Sequence, residues 1–127
     1  MTINEVEAAL ARHPDIKLAY VFGSVARNTA RPDSDVDIAV LAASPLDRER
    51  KIQLISDIAS ATGRPVDLID LATVGEPLLG QILHYGIRIR GDAALHAQWM
   101  TRHIFNNEDF MPYVERMLAE RRQRWIG

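Results

Sequence analysis

Phe22-Gly23-Ser24-Val25-Ala26-Arg27-Asn28-Thr29-Ala30-Arg31-Pro32-Asp33-Ser34-Asp35-Val36-Asp37-Ile38-Ala39-Val40 holds the most informative spacing in this chain of 127 residues. It ends in an apolar strand that carries two carboxylates, Asp35 and Asp37, one residue apart. Side chains alternate across a strand, so Asp35 and Asp37 project from one face. Two like charges at that separation repel, and half-burying them is costly unless something positive lies between them. A hard divalent cation with oxygen ligands meets that need, so the pair predicts Mg²⁺.

The first half supplies a complementary element. Leu18-Ala19-Tyr20-Val21-Phe22 reads as a buried strand, and the glycine after it permits a sharp turn and the close approach of a ligand. Backbone N–H groups at such a turn, above all one that opens a helix, make an anion site, to which the Ser24 hydroxyl adds a donor. A phosphate cradle beside paired carboxylates is suited to attack on a nucleoside triphosphate, with two metal ions about 4 Å apart clamping the attacking and leaving oxygens. The bland alternative is an ordinary turn beside the solvated face of an edge strand. Four residues at fixed spacing weigh against it.

Gly-Ser, ten intervening residues, then Asp-x-Asp resembles the signature of the nucleotidyltransferase superfamily related to DNA polymerase beta. The stretch Gly23 to Val40 looks like its smallest members, the minimal nucleotidyltransferases (MNT). The resemblance covers residues 1–91 and leaves 92–127 as a C-terminal helical extension, packed on the domain or on a partner. It implies a polymerase beta palm-like fold, two Mg²⁺ ions, ATP as substrate, a nucleotide held at Gly23, Ser24 and Arg27, and a third carboxylate from a neighbouring strand. Asp67 in Pro65-Val66-Asp67-Leu68-Ile69-Asp70 matches that carboxylate, giving Asp35, Asp37 and Asp67 as the implied catalytic and metal-binding set. Asp70 is its rival: parity puts it on the opposite face, so one of the two joins the pair, and family position favours Asp67. One departure is Asn28, where MNT proteins commonly have Gly. Asn tolerates a left-handed backbone better than most residues, so the loop geometry is expected to survive.

MNT proteins are typically encoded with a helical HEPN ribonuclease toxin. The implied activity is transfer of AMP from ATP to a tyrosine of that toxin, making this chain an antitoxin and a protein adenylyltransferase. Two other readings stay open: transfer to a small molecule such as an aminoglycoside, and a non-catalytic antitoxin that neutralises its partner by binding. A homodimer or a hetero-oligomer fits either.

Composition bounds the rest. A hydrophobic content of 47% in 127 residues suits one compact domain able to bury its own core. With no cysteine there is no thiol nucleophile and no cysteine zinc site, consistent with a reducing cytoplasm. The N-terminus shows no basic start followed by an apolar core, and no apolar run approaches the ~18 residues of a membrane span. A soluble cytoplasmic protein is expected. A net charge of −2 and a pI near 6.1 argue against a protein held on nucleic acid by phosphate contacts.

Along the chain, the pattern predicts a helix over 3–12, strands over 17–22 and 36–41, and a short helical turn over 24–27. An amphipathic helix begins at Asp47 and closes at Gly63. A strand over 65–71, a helix over 77–85 and a short strand over 87–90 follow, and the chain is helical from Asp92 to Trp125 with a break at Asn106-Asn107 and Pro112. Three to four strands with interleaved helices imply an α+β fold, a small mixed sheet covered by helices on one face with carboxylates on the other.

Other polar residues receive plainer readings. Asp33 and Ser34 are expected in the loop as cap and turn residues. Arg27 and Arg31 either offset the charge of a triphosphate or brace the loop. Arg88 and Arg90 share a solvated strand face. His13, His84, His96 and His103 have no metal-ligand spacing and read as structural or exposed. Leu95, Trp99, Phe105, Phe110, Tyr113, Val114, Met117 and Leu118 recur at helical spacing, either as core against the sheet or as a docking face. Arg116, Arg121, Arg122 and Arg124 suit the C-terminus of a helix.

Overall fold

The computed structural model describes residues 2–31, 33–106 and 119. The element order is α1 (Thr2–Leu10), β1 (Ile16–Phe22), α2 (Gly23–Ala26), β2 (Val36–Ala42), α3 (Arg48–Thr62), β3 (Val66–Asp70), α4 (Leu78–Tyr85), β4 (Ile87–Arg90) and α5 (Ala93–Asn106). The four strands form one mixed sheet in the order β3-β2-β1-β4, with β1 antiparallel to both β2 and β4 and β2 parallel to β3. The parallel step needs a crossover, which α3 provides.

Local chemistry sets the element ends. Asp47 caps α3 by accepting a hydrogen bond from the Arg50 N–H at 2.7 Å, and Gly63 closes the helix in the left-handed conformation at φ 67°. Asp92 does the same service for α5, accepting from the Leu95 N–H at 2.8 Å. Asn28 takes a left-handed φ of 58°, as the sequence reading requires of it.

Alternation sorts the strands into two cores. Val36, Ile38 and Val40 of β2, with Ala19 and Val21 of β1, face α1 and α3 and pack with Val6, Leu10, Leu54 and Ile58. Leu18, Tyr20 and Ala39 point the other way and pack with Leu79, Ile82 and Leu83 of α4 and Trp99 of α5. The sheet thus carries, besides the expected helical layer, a second and smaller one. Leu95 and Trp99 join this second core, whereas Phe105 is 76% exposed. Phe110, Tyr113, Val114, Met117, Leu118 and the terminal arginines lie outside the described residues.

Arg90 is not the solvated residue that strand alternation suggests. Its guanidinium donates to the carbonyls of Leu10 and His13, each at 2.7 Å, and to that of Ile16 at 3.4 Å. These groups include the orphan acceptors where α1 ends, so the arginine caps that helix from a distant strand. Nearby, His13 is 4% exposed and sits between the Asp57 carboxylate at 2.6 Å and Arg50 at 2.7 Å, while Arg50 also pairs with Asp15. His13 is structural. His96 meets the Tyr20 hydroxyl at 2.6 Å, and His103 pairs with Glu76.

Candidate active site

Register, more than any one side chain, builds the site. Asp37 lies opposite Phe22 across the β1–β2 pair and opposite Asp67 across the β2–β3 pair. Phe22, Asp37 and Asp67 therefore form one row across the sheet, and in-register neighbours on adjacent strands share a face. Asp35 stands one residue before β2. Asp35 and Asp67 are exposed and Asp37 is half-buried, and the charges of both neighbours reach Asp37.

The electrostatics follow from that placement. Burial, then the charge of Asp67, then that of Asp35, push the Asp37 carboxyl above its ordinary value of 3.8, against a smaller opposing pull from Arg27. Arg27 is exposed and makes no ion pair among the described residues.

Gly23 ties the turn to the carboxylates. Its φ is +70°, in the region that favours glycine, and a Cβ built there would collide with Oδ2 of Asp37. The two halves of the Gly-Ser…Asp-x-Asp spacing are thus in van der Waals contact. α2 starts at this turn, and its N-cap, Phe22, offers no side-chain acceptor to the first N–H groups. The loop that follows folds on itself: Ser34 Oγ accepts from the Arg31 N–H at 2.8 Å, and the Ser34 N–H donates to the Arg31 carbonyl at 3.0 Å. Ser34 is the turn residue expected of it. Asp33 is exposed and forms no hydrogen bond among the described residues.

Asp70 is placed elsewhere. It lies opposite Val40, is 5% exposed, and accepts from the Ala72 N–H at 2.9 Å and the Leu46 N–H at 3.2 Å. Both its oxygens hold backbone turns together, so it belongs to the frame behind the site.

Two features went unread in the sequence. Arg64, just ahead of β3, donates to the carbonyls of Arg31 and Ser34 and so fastens the loop that delivers Asp35. Nothing distinguishes it in sequence from the other basic residues. The second is a cleft of about 570 Å³ beside the turn, lined by Phe22, Gly23, Arg27, Leu78, Gln81 and Tyr85. The i, i+3, i+7 spacing of Leu78, Gln81 and Tyr85 was legible as a helix face, but its neighbour across space was not.

Oxygen-only donors suit a hard cation such as Mg²⁺, and the mutual repulsion at Asp37 is the kind a cation relieves. Among the described residues, however, no three His, Asp or Glu side chains already stand as a cage for a metal. Asp37 and Asp67 are neighbours by register, and Asp35 joins them through charge and placement.

Comparisons with known proteins identify the family. The family model described as polymerase beta, nucleotidyltransferase matches residues 4–93. Protein adenylyltransferase MntA of Shewanella oneidensis is 40% identical over 78 residues, which is 61% of this chain and 56% of that protein. The aligned part thus spans little more than half of that relative. Among solved structures, the crystal structure of the toxin-antitoxin with AMP-PNP contains a chain with TM-score 0.73 and 29% identity, covering 97% of this chain and 94% of that one. The tri-AMPylated Shewanella oneidensis HEPN toxin in complex with MNT antitoxin gives TM-score 0.66 at 28% identity, with 96% and 91% covered. The mixed sheet, the row of carboxylates across it and the match over residues 4–93 together make this chain a member of the polymerase beta nucleotidyltransferase family.

Proposed function

We propose that this chain transfers AMP from ATP to a tyrosine hydroxyl of a cognate HEPN-type toxin, acting as its antitoxin. The observation that carries the reading is the row formed by Asp37 and Asp67, with Asp35 at its edge and Gly23 pressed against it. A pure binding module has no physical reason to hold three repelling carboxylates together. Likeness to an adenylyltransferase and to a toxin–antitoxin chain crystallised with AMP-PNP supports the choice of nucleotide and partner.

In this reading Gly23 and Ser24 donate hydrogen bonds to the phosphates, and Arg27 offsets part of their charge. Asp35, Asp37 and Asp67 would hold Mg²⁺, which supplies positive charge against the triphosphate. The acceptor oxygen bonds to the α-phosphorus, the bond from that phosphorus to the bridging oxygen breaks, pyrophosphate leaves, and Asp67 takes the hydroxyl proton.

Incubation of the chain with ATP, Mg²⁺ and the neighbouring encoded protein, read by intact mass, tests this. One or more AMP units on the partner, abolished by Asp37→Ala, is the expected result. Neutralisation of the partner with no mass change overturns it and leaves occlusion as the mechanism.

A further inference from the structure

The cleft beside the Gly23 turn is chemically graded. Gly23 and Arg27 form one end, where phosphate oxygens suit the backbone and the guanidinium. The other wall comes from α4: Gln81 and Tyr85 on its exposed face and Leu78, which also packs against the second core, with Phe22 of β1 beside them. That wall carries apolar and aromatic surface and one amide, with no charge. Tyr85 is 79% exposed, an unusual investment for an aromatic ring on a helix whose opposite face is core, and its hydroxyl has no hydrogen-bond partner among the described residues.

Topology fixes the ring at this place. Val21 lies opposite Ile87 across the antiparallel β1–β4 pair, so the residues after Val21 run alongside those before Ile87. The end of β1 is thereby brought beside the end of α4, and Phe22, Gly23 and Tyr85 line one cleft. Gly86 lets α4 end tightly against β1, because a Cβ there would press on the Ile82 carbonyl and on Tyr20. The juxtaposition of Tyr85 with the turn is thus a consequence of strand pairing, independent of the rotamer the side chain adopts.

We infer that the exposed face of α4 is the platform for the nucleotide's base, with Tyr85 stacking on the purine and Gln81 reading its edge; the inference rests on the nucleotidyltransferase reading and names the specificity residues of that site. An aromatic face stacks on any base. The amide adds discrimination. It presents one donor and one acceptor, which adenine satisfies with N7 and its N6 amino group, whereas guanine offers two acceptors along the same edge. The site therefore prefers ATP to GTP through Gln81 and holds the base through Tyr85. Tyr85 and Gln81 act on the ligand's base, so neither influences a ligand that lacks one.

Calorimetric binding of ATP, GTP and inorganic tripolyphosphate to the full chain in the presence of Mg²⁺ separates the possibilities. Tyr85→Ala is expected to weaken ATP by about 5- to 150-fold, the worth of one base–aromatic stack, while leaving tripolyphosphate unchanged; Tyr85→Phe keeps ATP affinity. Gln81→Leu is expected to erase the preference of ATP over GTP. Because both side chains are exposed, unchanged thermal unfolding verifies that the variants are folded. If wild-type chain binds ATP but the Tyr85→Ala and Gln81→Leu variants bind all three ligands as wild type does, the base platform is wrong and the nucleotidyltransferase reading stands. If wild-type chain binds neither ATP nor tripolyphosphate, the broader reading fails and takes the platform with it.

Discussion

Asp37 is held in a place that disfavours its own charge. Burial and the two neighbouring aspartates raise its carboxyl above 3.8, so between that value and the higher folded one the native state binds more protons than the unfolded chain. Stability is therefore greatest below this window and is lost as pH rises through it. Asp37→Asn should unfold at a higher urea concentration than wild type at pH 7 without metal, and the two should converge near pH 3.5; equal midpoints at pH 7 would contradict the mutual repulsion. His96 works with the opposite sign. Burial, then Arg88 and His84, hold its imidazole below 6.5, and its Nδ1 meets the phenol of Tyr20, itself pushed up to about 12 by burial. The unfolded chain takes up more protons here as the medium acidifies, so this contribution is full above pH 6.5 and fades as pH falls toward the folded value. His96→Asn, which still offers an oxygen to Tyr20, should flatten the slope of stability between pH 6.5 and 5 in denaturant titrations.

At the scale of elements, distant cations hold chain segments in place. Arg90 donates to three carbonyls around the end of α1, and charged donors contribute about 1.5–3 kcal/mol per hydrogen bond. Arg90→Met should cost about 2–4 kcal/mol by denaturant unfolding, far beyond a solvated-face substitution. Arg64→Ala should leave unfolding within about 1 kcal/mol, since its partners lie in a partly exposed loop, yet lower the rate of AMP transfer by about tenfold or more through misplacement of Asp35. A rate equal to wild type would show that the loop needs no brace. These two arginines also mark where sequence reading stops. Every strand and helix through residue 106 was legible from alternation, helical spacing and caps such as Asp47, Gly63 and Asp92, because those signals are local. Asp67 and Asp70 could be separated by parity, and their partners could not, since register is a property of two strands. Arg64, Arg90 and the α4 wall depend on contacts across dozens of residues, which no window of sequence contains.

For the molecule as a whole, the sheet works as a divider. Apolar side chains on one face meet α1 and α3, those on the other meet α4 and α5, and the polar row emerges where the second layer ends. Such a corner gains from a cation, which offsets the repulsion at Asp37. Mg²⁺ at ten times its dissociation constant should stabilise the native state by about 1.4 kcal/mol, a rise of roughly 5 °C in Tm for a domain of this size, and Asp37→Asn should abolish the rise in differential scanning calorimetry. The close fit between the backbone at position 23 and the Asp37 carboxylate has a genetic corollary. Any substitution of Gly23 strains a left-handed backbone and puts atoms where Oδ2 of Asp37 already sits, and making room turns away or removes an acid that the proposed chemistry needs. If the proposed antitoxin role holds, a population carrying Gly23→Ala and selected for survival of the toxin should recover by restoring the original codon, because compensation at the obstructing neighbour destroys what it is meant to rescue.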